Sequence, residues 1–324
     1  MGAIICWLVA VPVWTWVALA FALTPGWPES ARALAVIAWL GLTAGIWKLR
    51  PGRRLAFVLG LSLGLAMAWA LLVRPRDGRT WATGHEHVPR VTFSGDSVTI
   101  EHLRNAAWRS PTDVDMRWET RTYDLSGMRS VDLVVEPFDD WRGLAHIFVT
   151  FGFADGEHVA VSIEARREAD EGYSPLRGAF RHYELLYVIG DERDLIGLRA
   201  NVRRDPVYVF PTRATPDEAR ALFVSLLQRA SGLRERPEFY NTLTSTCATG
   251  LVRHVNEVRE HDVGLLDWRI AFPGYADALA WDLDLIAWEG TLEEARARFL
   301  INGRSALDAA RDGTGWSRQI RDVK

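Results

Sequence analysis

The pattern of apolar and polar residues divides the chain into a short apolar part and a longer mixed part. Three apolar stretches, at about residues 3–23, 31–49 and 55–73, are separated by turns that contain proline and glycine. A bilayer core about 30 Å thick needs about 20 apolar helical residues, which these stretches supply or nearly reach. We therefore expect residues 1–75 to form a transmembrane region of three helices.

A polar linker at residues 76–94 leads to residues 95–324, where the pattern is that of a water-soluble domain. Short alternating segments predict strands at residues 121–125, 130–135, 146–153, 158–164, 184–189 and 207–210. Helical signals follow at residues 215–230, 245–255, 275–286 and 291–301. Strands followed by helices indicate an α+β domain.

The clearest hairpin turns at Asp155-Gly156, a dipeptide that supplies the positive backbone dihedrals of a tight turn. If the hairpin closes symmetrically about Asp155, His146 lies opposite Glu164. Directly opposed residues point to the same face of a sheet, with their β-carbons about 5 Å apart. An imidazole and a carboxylate are therefore predicted neighbours.

Charge adds a partial indication of topology. The 324 residues carry a formal net charge of −3, and acidic residues lie among the basic ones throughout the soluble part, so nucleic acid is not an expected partner. Lys48, Arg50, Arg53 and Arg54 surround the second turn and favour a cytoplasmic turn there, which places the C-terminal domain outside. The opposite topology places an equal number of basic residues inside, so charge alone leaves the orientation open.

A group of arginines that includes Arg166 and Arg181 surrounds Ser174-Pro175. These residues fit either a solvated basic surface or a site for a phosphate-bearing lipid head group, for which the planar guanidinium is well suited.

No metal or cofactor is expected. The triplet His85-Glu86-His87 lies in the linker, and alternate residues of an extended segment rarely converge on a metal without further ligands. The sequence shows neither a phosphate-binding loop nor a nucleotide-binding fingerprint.

The two cysteines cannot form a disulfide framework, because Cys6 lies in the first apolar stretch and Cys247 in the soluble domain. Cys247 follows a polar stretch, residues 240–246, that is full of candidate helix N-caps. A cysteine in the first turn of a helix is close to unsatisfied backbone N–H groups, which lower its pKa and can stabilise an oxyanion. This environment is typical of a catalytic thiolate.

Two interpretations of Cys247 remain open from these residues alone. It is either a small buried residue of a helix, or a nucleophile with His146 as base and Glu164 as the group that orients the base. His158, at the start of its strand, is the second candidate for the base.

Several short segments also occur in a characteristic order: Ala145-His146-Ile147-Phe148, residues 162–167, Tyr183-Glu184-Leu185, residues 191–194, residues 239–244, Cys247 and residues 251–256. Over about residues 95–285, this ordered set resembles the bacterial periplasmic domain that forms the N-terminal part of Lnb-type lipoprotein N-acyltransferases. The resemblance implies a permuted, papain-like fold with an antiparallel sheet plus helices, in which the histidine precedes the cysteine. It also implies Cys247 as nucleophile and His146 as base.

One departure from the family pattern lies beside the nucleophile. Where the family usually has asparagine immediately before the cysteine, this chain has Thr246. Tyr240 and Asn241, together with Arg166 and Arg181, are candidate substrate contacts.

The function implied by the resemblance is thiol-dependent acyl transfer on lipid or lipoprotein acyl groups through a cysteine thioester. The resemblance places the C-terminal domain in the periplasm, with membrane lipids and lipoproteins as partners. Together with the three apolar stretches, which lie outside the resemblance, it predicts a multi-pass protein of the bacterial inner membrane. The oligomeric state stays open. Two alternatives remain: a papain-like cysteine peptidase or amidase of the cell envelope, and a catalytically silent binding domain. Apolar surroundings of Cys247 would favour acyl chains, and a polar groove would favour peptide.

Overall fold

A computed structural model describes residues 2–46, 51–76, 78–138, 140–259, 262–304 and 313–322. The chain divides into two compact units. The first consists of residues 1–79, 172–184 and 239–242, and the second of residues 80–171, 185–238 and 243–324.

The first unit begins with helices over the predicted spans, namely α1 (Gly2–Ala22), α2 (Glu29–Ile46) and α3 (Pro51–Leu72). Among the residues that the structure describes, α2 is the one helix long and apolar enough to cross a membrane. The apolar parts of the other two are shorter, Val11–Ala22 and Ala56–Leu72. The side chain of Cys6, the basic residues Lys48 and Arg50, and the side chain of Arg54 lie outside the described residues.

A later segment of the chain also belongs to this first unit. Residues 172–184 contain the short helix α4 (Pro175–Gly178). Phe180 is buried against Trp16 and Trp69. The sequence pattern assigned this segment to the soluble domain, because contacts between residues so far apart in the chain leave no periodic signal.

The second unit is built on a mixed sheet that has eight strands over the described residues, in the order β1-β2-β9-β8-β7-β6-β10, with β5 also paired to β2. A separate small sheet pairs β3 with β4. The strands are β1 (Arg90–Ser94), β2 (Ser97–Arg104), β3 (Ala107–Trp108), β4 (Val114–Asp115), β5 (Trp118–Asp124), β6 (Met128–Pro137), β7 (Ala145–Phe153), β8 (His158–Arg166), β9 (Glu184–Asp191) and β10 (Tyr208–Pro211).

The expectation of an antiparallel sheet and the boundary of the linker both need correction. The hairpin pairings are antiparallel, but β2 runs parallel to β9, where Arg104 pairs with Gly190. These two strands meet across a long stretch of sequence, so no turn signal indicated their relative direction. Residues 90–94, assigned to the linker from the sequence, form β1 and pair with β2.

The hairpin of β7 and β8 has the predicted symmetric register, with Val149 opposite Val161 and Phe151 opposite Val159. Because side chains alternate along a strand, β7 contributes to two different surfaces. One surface carries Ile147, Val149 and Phe151, and Phe151 contacts Phe223 of a covering helix.

The helices of the second unit cover both surfaces of the sheet. They are α5 (Glu192–Gly197), a π-helix (Leu198–Arg203), α6 (Pro216–Gly232), α7 (Cys247–Val258), α8 (Trp268–Ala271), α9 (Ala276–Asp282), α10 (Leu292–Phe299) and α11 (Gly313–Arg321), with 3-10 turns at Leu125–Gly127 and Pro273–Tyr275. Helices α6 and α7 pack on the surface of Ile147, while α5, the π-helix and α11 enclose Phe148 and Ala160 on the other.

Local signals predicted α6 and α7 well. Helix α6 has a capping box between Thr215 and Glu218 and ends at Gly232, and the N-cap of α7 is Thr246. The helix expected at residues 275–286 is shorter, since α9 covers Ala276–Asp282. The sequence did not predict α5 or the π-helix that follows it.

Arg321 joins α11 to the sheet through a buried ion-pair network. Its Nη2 lies 2.8 Å from Asp132 Oδ2 and 2.5 Å from Glu192 Oε1, and Glu192 is fully buried. A buried carboxylate that loses its cation leaves an uncompensated charge in a poorly solvated environment.

We therefore expect Arg321→Met to lower the free energy of unfolding by about 3–5 kcal/mol in a denaturant titration. Arg117→Met is the control, because Arg117 pairs with Asp115 at the surface, where an ion pair is worth about 0–1 kcal/mol. Equal effects of the two substitutions would contradict the structural role of Arg321.

Candidate functional site

Cys247 is the first residue of α7 and is 7% exposed. The backbone N–H groups of Ile147 on β7 and of Ala248 face its sulfur. The paired register of β7 with β8 runs from Val149 to Gly152. Ile147 lies beyond its last pair, and its N–H group is directed at the thiol.

The thiol is not the pre-ionised thiolate that the helix start suggested. Burial raises the pKa of Cys247 to about 11, although the N–H groups of Ile147 and Ala248 act in the opposite direction. The prediction of a lowered thiol pKa is therefore wrong, because desolvation outweighs the helix start. A protonated thiol needs a base before it can attack a carbonyl.

Thr246 stabilises the start of α7. Its Oγ1 accepts a hydrogen bond from the Thr249 N–H at 3.1 Å, and the Thr246 N–H donates to Thr249 Oγ1 at 2.7 Å. At the position where the family usually has asparagine, this chain thus has a helix cap. Helix α7 also lies close to β8 at Gly250. A side chain at this position would not fit, since its Cβ would be only 2.8 Å from Ile163 Cδ1.

His146 lies on β7 between two strands that each carry a carboxylate. Glu136 on β6 is its direct partner in the antiparallel register, and Glu164 lies on β8. The Nε2 of His146 is 2.7 Å from the Ser162 Oγ and 3.9 Å from the Glu164 Oε1. The hairpin thus brings His146 and Glu164 together, but the short hydrogen bond of the imidazole is to Ser162.

Glu164 receives several donors at once. The Ser162 hydroxyl donates to its Oε1 at 2.9 Å, and the Arg199 Nη2 lies 3.0 Å from the same oxygen. The Nε2 of His85 is 3.5 Å from Oε2. Burial by itself would raise the pKa of Glu164, but the hydrogen bond from His85 and the charge of Arg199 hold it well below its usual range.

Arg199 connects the two carboxylates beside His146. From the π-helix, its Nε donates to Glu136 Oε2 at 2.5 Å, while its Nη2 reaches Glu164. Its guanidinium also lies over the Phe148 ring, 4.8 Å from the centroid. π-Helical turns are often found at functional sites, and here such a turn brings a cation to the site.

His146 is neutral in this environment. Burial lowers its pKa to about 3, and the charge of Arg199 adds to this effect while Glu164 opposes it. A neutral imidazole can accept a proton, which is the property that a base for Cys247 requires. Cys247 lies beside the Ile147 N–H group, and His146 is the preceding residue of β7, but among the described residues no hydrogen bond joins the imidazole to the thiol.

An apolar cavity of about 370 Å³ lies beside α7, on the surface of the sheet opposite to that of His146. Ile147 and Val149 of β7 line it, together with Leu222 of α6, Leu251 of α7 and Leu279 of α9. Leu251 follows Cys247 by one helical turn. Ile147 therefore contributes its side chain to the cavity and its N–H group to the surroundings of the sulfur.

The remaining candidate residues have other contacts. The Nδ1 of His158 is 3.1 Å from the Gly156 carbonyl, at the turn of the hairpin and away from the end that holds His146. Arg166 is buried, donates to the carbonyls of His85 and Glu86 at 2.9 Å each, and lies over the Trp81 ring.

Three candidate substrate contacts belong to the first unit. The Tyr240 hydroxyl is 3.2 Å from that of Tyr173, and the Asn241 side-chain amide donates to the Ala179 carbonyl at 3.3 Å. Arg181 donates to the Ala70 carbonyl at 2.6 Å near the end of α3. Their role in substrate binding stays a prediction.

Residues 115–274 match the family model of the Lnb N-terminal periplasmic domain. This part of the chain belongs to that family. The matched segment contains His146, Glu164 and Cys247 and lies inside residues 95–285, over which the sequence resembles the family. No curated protein and no solved structure matches the chain. With the apolar helix α2 preceding it, the Lnb domain is a membrane-associated periplasmic domain.

Sequence reasoning missed three residues that contact the candidate site. Ser162 alternates with apolar neighbours two positions before Glu164, so the strand pattern placed both on one face, yet it received no role. Arg199 lies on a π-helix that the sequence pattern did not predict. His85 lies in the segment interpreted as a linker.

The neutral, partly buried His146 makes the stability of the Lnb domain dependent on pH. His146 has an ordinary pKa of 6.5 when unfolded and about 3 when folded. Between these values the unfolded chain binds a proton that the folded chain does not, so the free energy of unfolding falls as the pH decreases below 6.5.

We expect His146 to contribute up to about 1.4 kcal/mol per pH unit to this slope, and His146→Gln to flatten it by that amount. Urea titrations at several pH values between neutral and mildly acidic conditions measure the slope. Identical slopes for the wild type and His146→Gln would show that the folded histidine titrates normally.

Proposed function

We propose that the protein is a membrane-anchored, thiol-dependent acyltransferase that acts on lipid or lipoprotein acyl groups through a thioester on Cys247. The observation that carries this proposal is the position of Ile147, whose N–H group faces the Cys247 sulfur and whose side chain lines the apolar cavity. A carbonyl bound at the sulfur could extend its acyl chain toward that cavity. Apolar surroundings favour an acyl chain over a peptide.

In the proposed reaction, His146 removes the proton from the Cys247 thiol as the sulfur attacks the ester carbonyl. Backbone N–H groups at the start of α7 stabilise the oxyanion of the tetrahedral intermediate. The intermediate collapses to a thioester, and protonated His146 donates its proton to the leaving alkoxide. An amine or water then attacks the thioester, loses its proton through His146, and restores the thiol.

Both partners begin the reaction uncharged. The raised pKa of Cys247 keeps the thiol protonated, and the lowered pKa of His146 keeps the imidazole neutral but also makes it a weak base, so the proton transfer is unfavourable unless it is coupled to attack on the substrate. The proton is transferred during attack, as in general base catalysis. The Cys247 thiol therefore stays protonated in the empty site and is ionised only as it attacks a bound substrate.

The N-terminal helices complete the proposal. We assign α1, α2 and α3 as three spans of the bacterial inner membrane, with the C-terminal domain in the periplasm and lipids and lipoproteins as partners. The description of the matched family as a periplasmic domain supports this orientation. A membrane anchor would keep Cys247 near substrates that are themselves confined to the bilayer.

Acylation of the full-length protein tests the nucleophile and the base. In mixed lipid–detergent micelles with a phospholipid that carries an alkyne-tagged acyl chain, we expect covalent label on the peptide that contains Cys247. Cys247→Ala should abolish the label, and His146→Ala should slow labelling by about 10²- to 10⁴-fold because the base is lost. Mass spectrometry and in-gel fluorescence measure site and rate.

His158→Ala is the matched control for the base, since His158 lies on the same hairpin at its other end. It should label at nearly the wild-type rate. Equal labelling of wild type, Cys247→Ala and His146→Ala would refute the assignment.

The cavity makes a separate prediction about chain length. Ala280 lines the cavity on α9, so Ala280→Phe should fill part of it. We expect labelling by a palmitoyl probe to fall about 10-fold or more, while labelling by a butyryl probe is retained.

Ala278→Phe is the control for this substitution, because Ala278 lies on the same helix and does not line the cavity. Its ratio of long-chain to short-chain labelling should equal that of the wild type. A parallel loss of both probes in Ala280→Phe would argue against an acyl chain in the cavity.

A further inference from the structure

The hydroxyl of Ser162 allows the protons of the site to be assigned. A serine hydroxyl has one proton to donate and lone pairs that accept. Its Oγ lies 2.9 Å from Glu164 Oε1 and 2.7 Å from His146 Nε2, and Ser162 is fully buried. Because an ionised carboxylate can only accept, the hydroxyl proton is directed at Glu164, and Oγ accepts from His146.

Glu164 is fixed as the acceptor by its other neighbours. Arg199 donates to Oε1, and His85 approaches Oε2 at 3.5 Å. The Nδ1 of His85 accepts the Arg167 N–H at 3.1 Å, so the proton of neutral His85 is on Nε2 and is directed at Glu164. All of these groups favour the ionised carboxylate.

The acceptor role of Ser162 determines the tautomer of His146. A neutral imidazole carries one proton, and the nitrogen 2.7 Å from an accepting Oγ must be the one that holds it. The Nε2 of His146 is therefore protonated, and Nδ1 has the unprotonated lone pair. Glu164 cannot impose this directly, because 3.9 Å is too long for a hydrogen bond.

We propose that Ser162 is a positioning residue that holds His146 in the Nε2–H tautomer, so that Nδ1 is the nitrogen that accepts the Cys247 proton. The inference rests on the proposed function of Cys247 and His146. It replaces direct orientation by Glu164 with a two-step chain, in which Nε2–H donates to Ser162 and the Ser162 hydroxyl donates to Glu164.

Tautomer and rate are measured together. The full-length protein is prepared in micelles with isotope-labelled histidine, and long-range proton–nitrogen NMR shows which ring nitrogen of His146 carries the proton; His146→Gln identifies the signal. We expect Nε2–H in the wild type at neutral pH. In Ser162→Ala we expect the Nδ1–H form to become populated, and acylation of Cys247 to slow by about 10- to 100-fold.

Thr150→Val is the matched control. Like the Ser162 hydroxyl on β8, the Thr150 hydroxyl on β7 is buried and donates to a carboxylate, that of Glu192, at 2.5 Å. This substitution removes a buried hydroxyl–carboxylate hydrogen bond at a position away from Cys247. Its His146 tautomer and acylation rate should match the wild type, even if its stability is lower.

The outcomes separate this inference from the proposed function. A wild-type His146 with its proton on Nδ1 overturns the inference. A Ser162→Ala variant in which the tautomer, the acylation rate or both stay as in the wild type also overturns it. Normal acylation of the wild type in either case leaves the proposed function intact. Absence of acylation in the wild type, with Nε2–H observed, contradicts the proposed function and leaves the orientation of His146 by Ser162 supported.

Discussion

The candidate site depends on one partly buried carboxylate, that of Glu164. An ionised carboxylate removed from water must receive donors from the protein, and Glu164 receives them from Ser162, Arg199 and His85. These donors come from β8, from the π-helix and from the segment before β1. The need of the Glu164 carboxylate for hydrogen-bond donors is therefore met by parts of the chain that are distant in sequence.

Burial also determines the protonation states of Cys247 and His146. The start of α7 offers N–H groups to the sulfur, but the loss of solvent is the stronger effect and keeps the thiol protonated. The loss of solvent also lowers the pKa of His146 and keeps its imidazole neutral. One physical cause thus acts on both residues and produces an uncharged pair instead of a thiolate and an imidazolium.

Local signals in the sequence predicted a substantial part of this arrangement. The Asp155-Gly156 turn gave the register that puts His146 near Glu164, and the polar residues before Cys247 gave the start of α7. What could not be predicted depends on long-range contacts or on the balance of opposing effects. The parallel pairing of β2 with β9, the arrival of Arg199 and the sign of the thiol pKa shift all require the folded chain.

The alternation of side chains along β7 has a consequence for how such a domain can diverge. The groups that the proposed reaction assigns to proton transfer, His146 with Ser162 and Glu164, lie on one surface of the sheet, whereas Ile147 and Val149 face the cavity on the other. Replacements in the cavity need not disturb the ionised network behind it. Under the proposed function, the domain could therefore acquire new substrates over evolutionary time while the reactive centre stays the same.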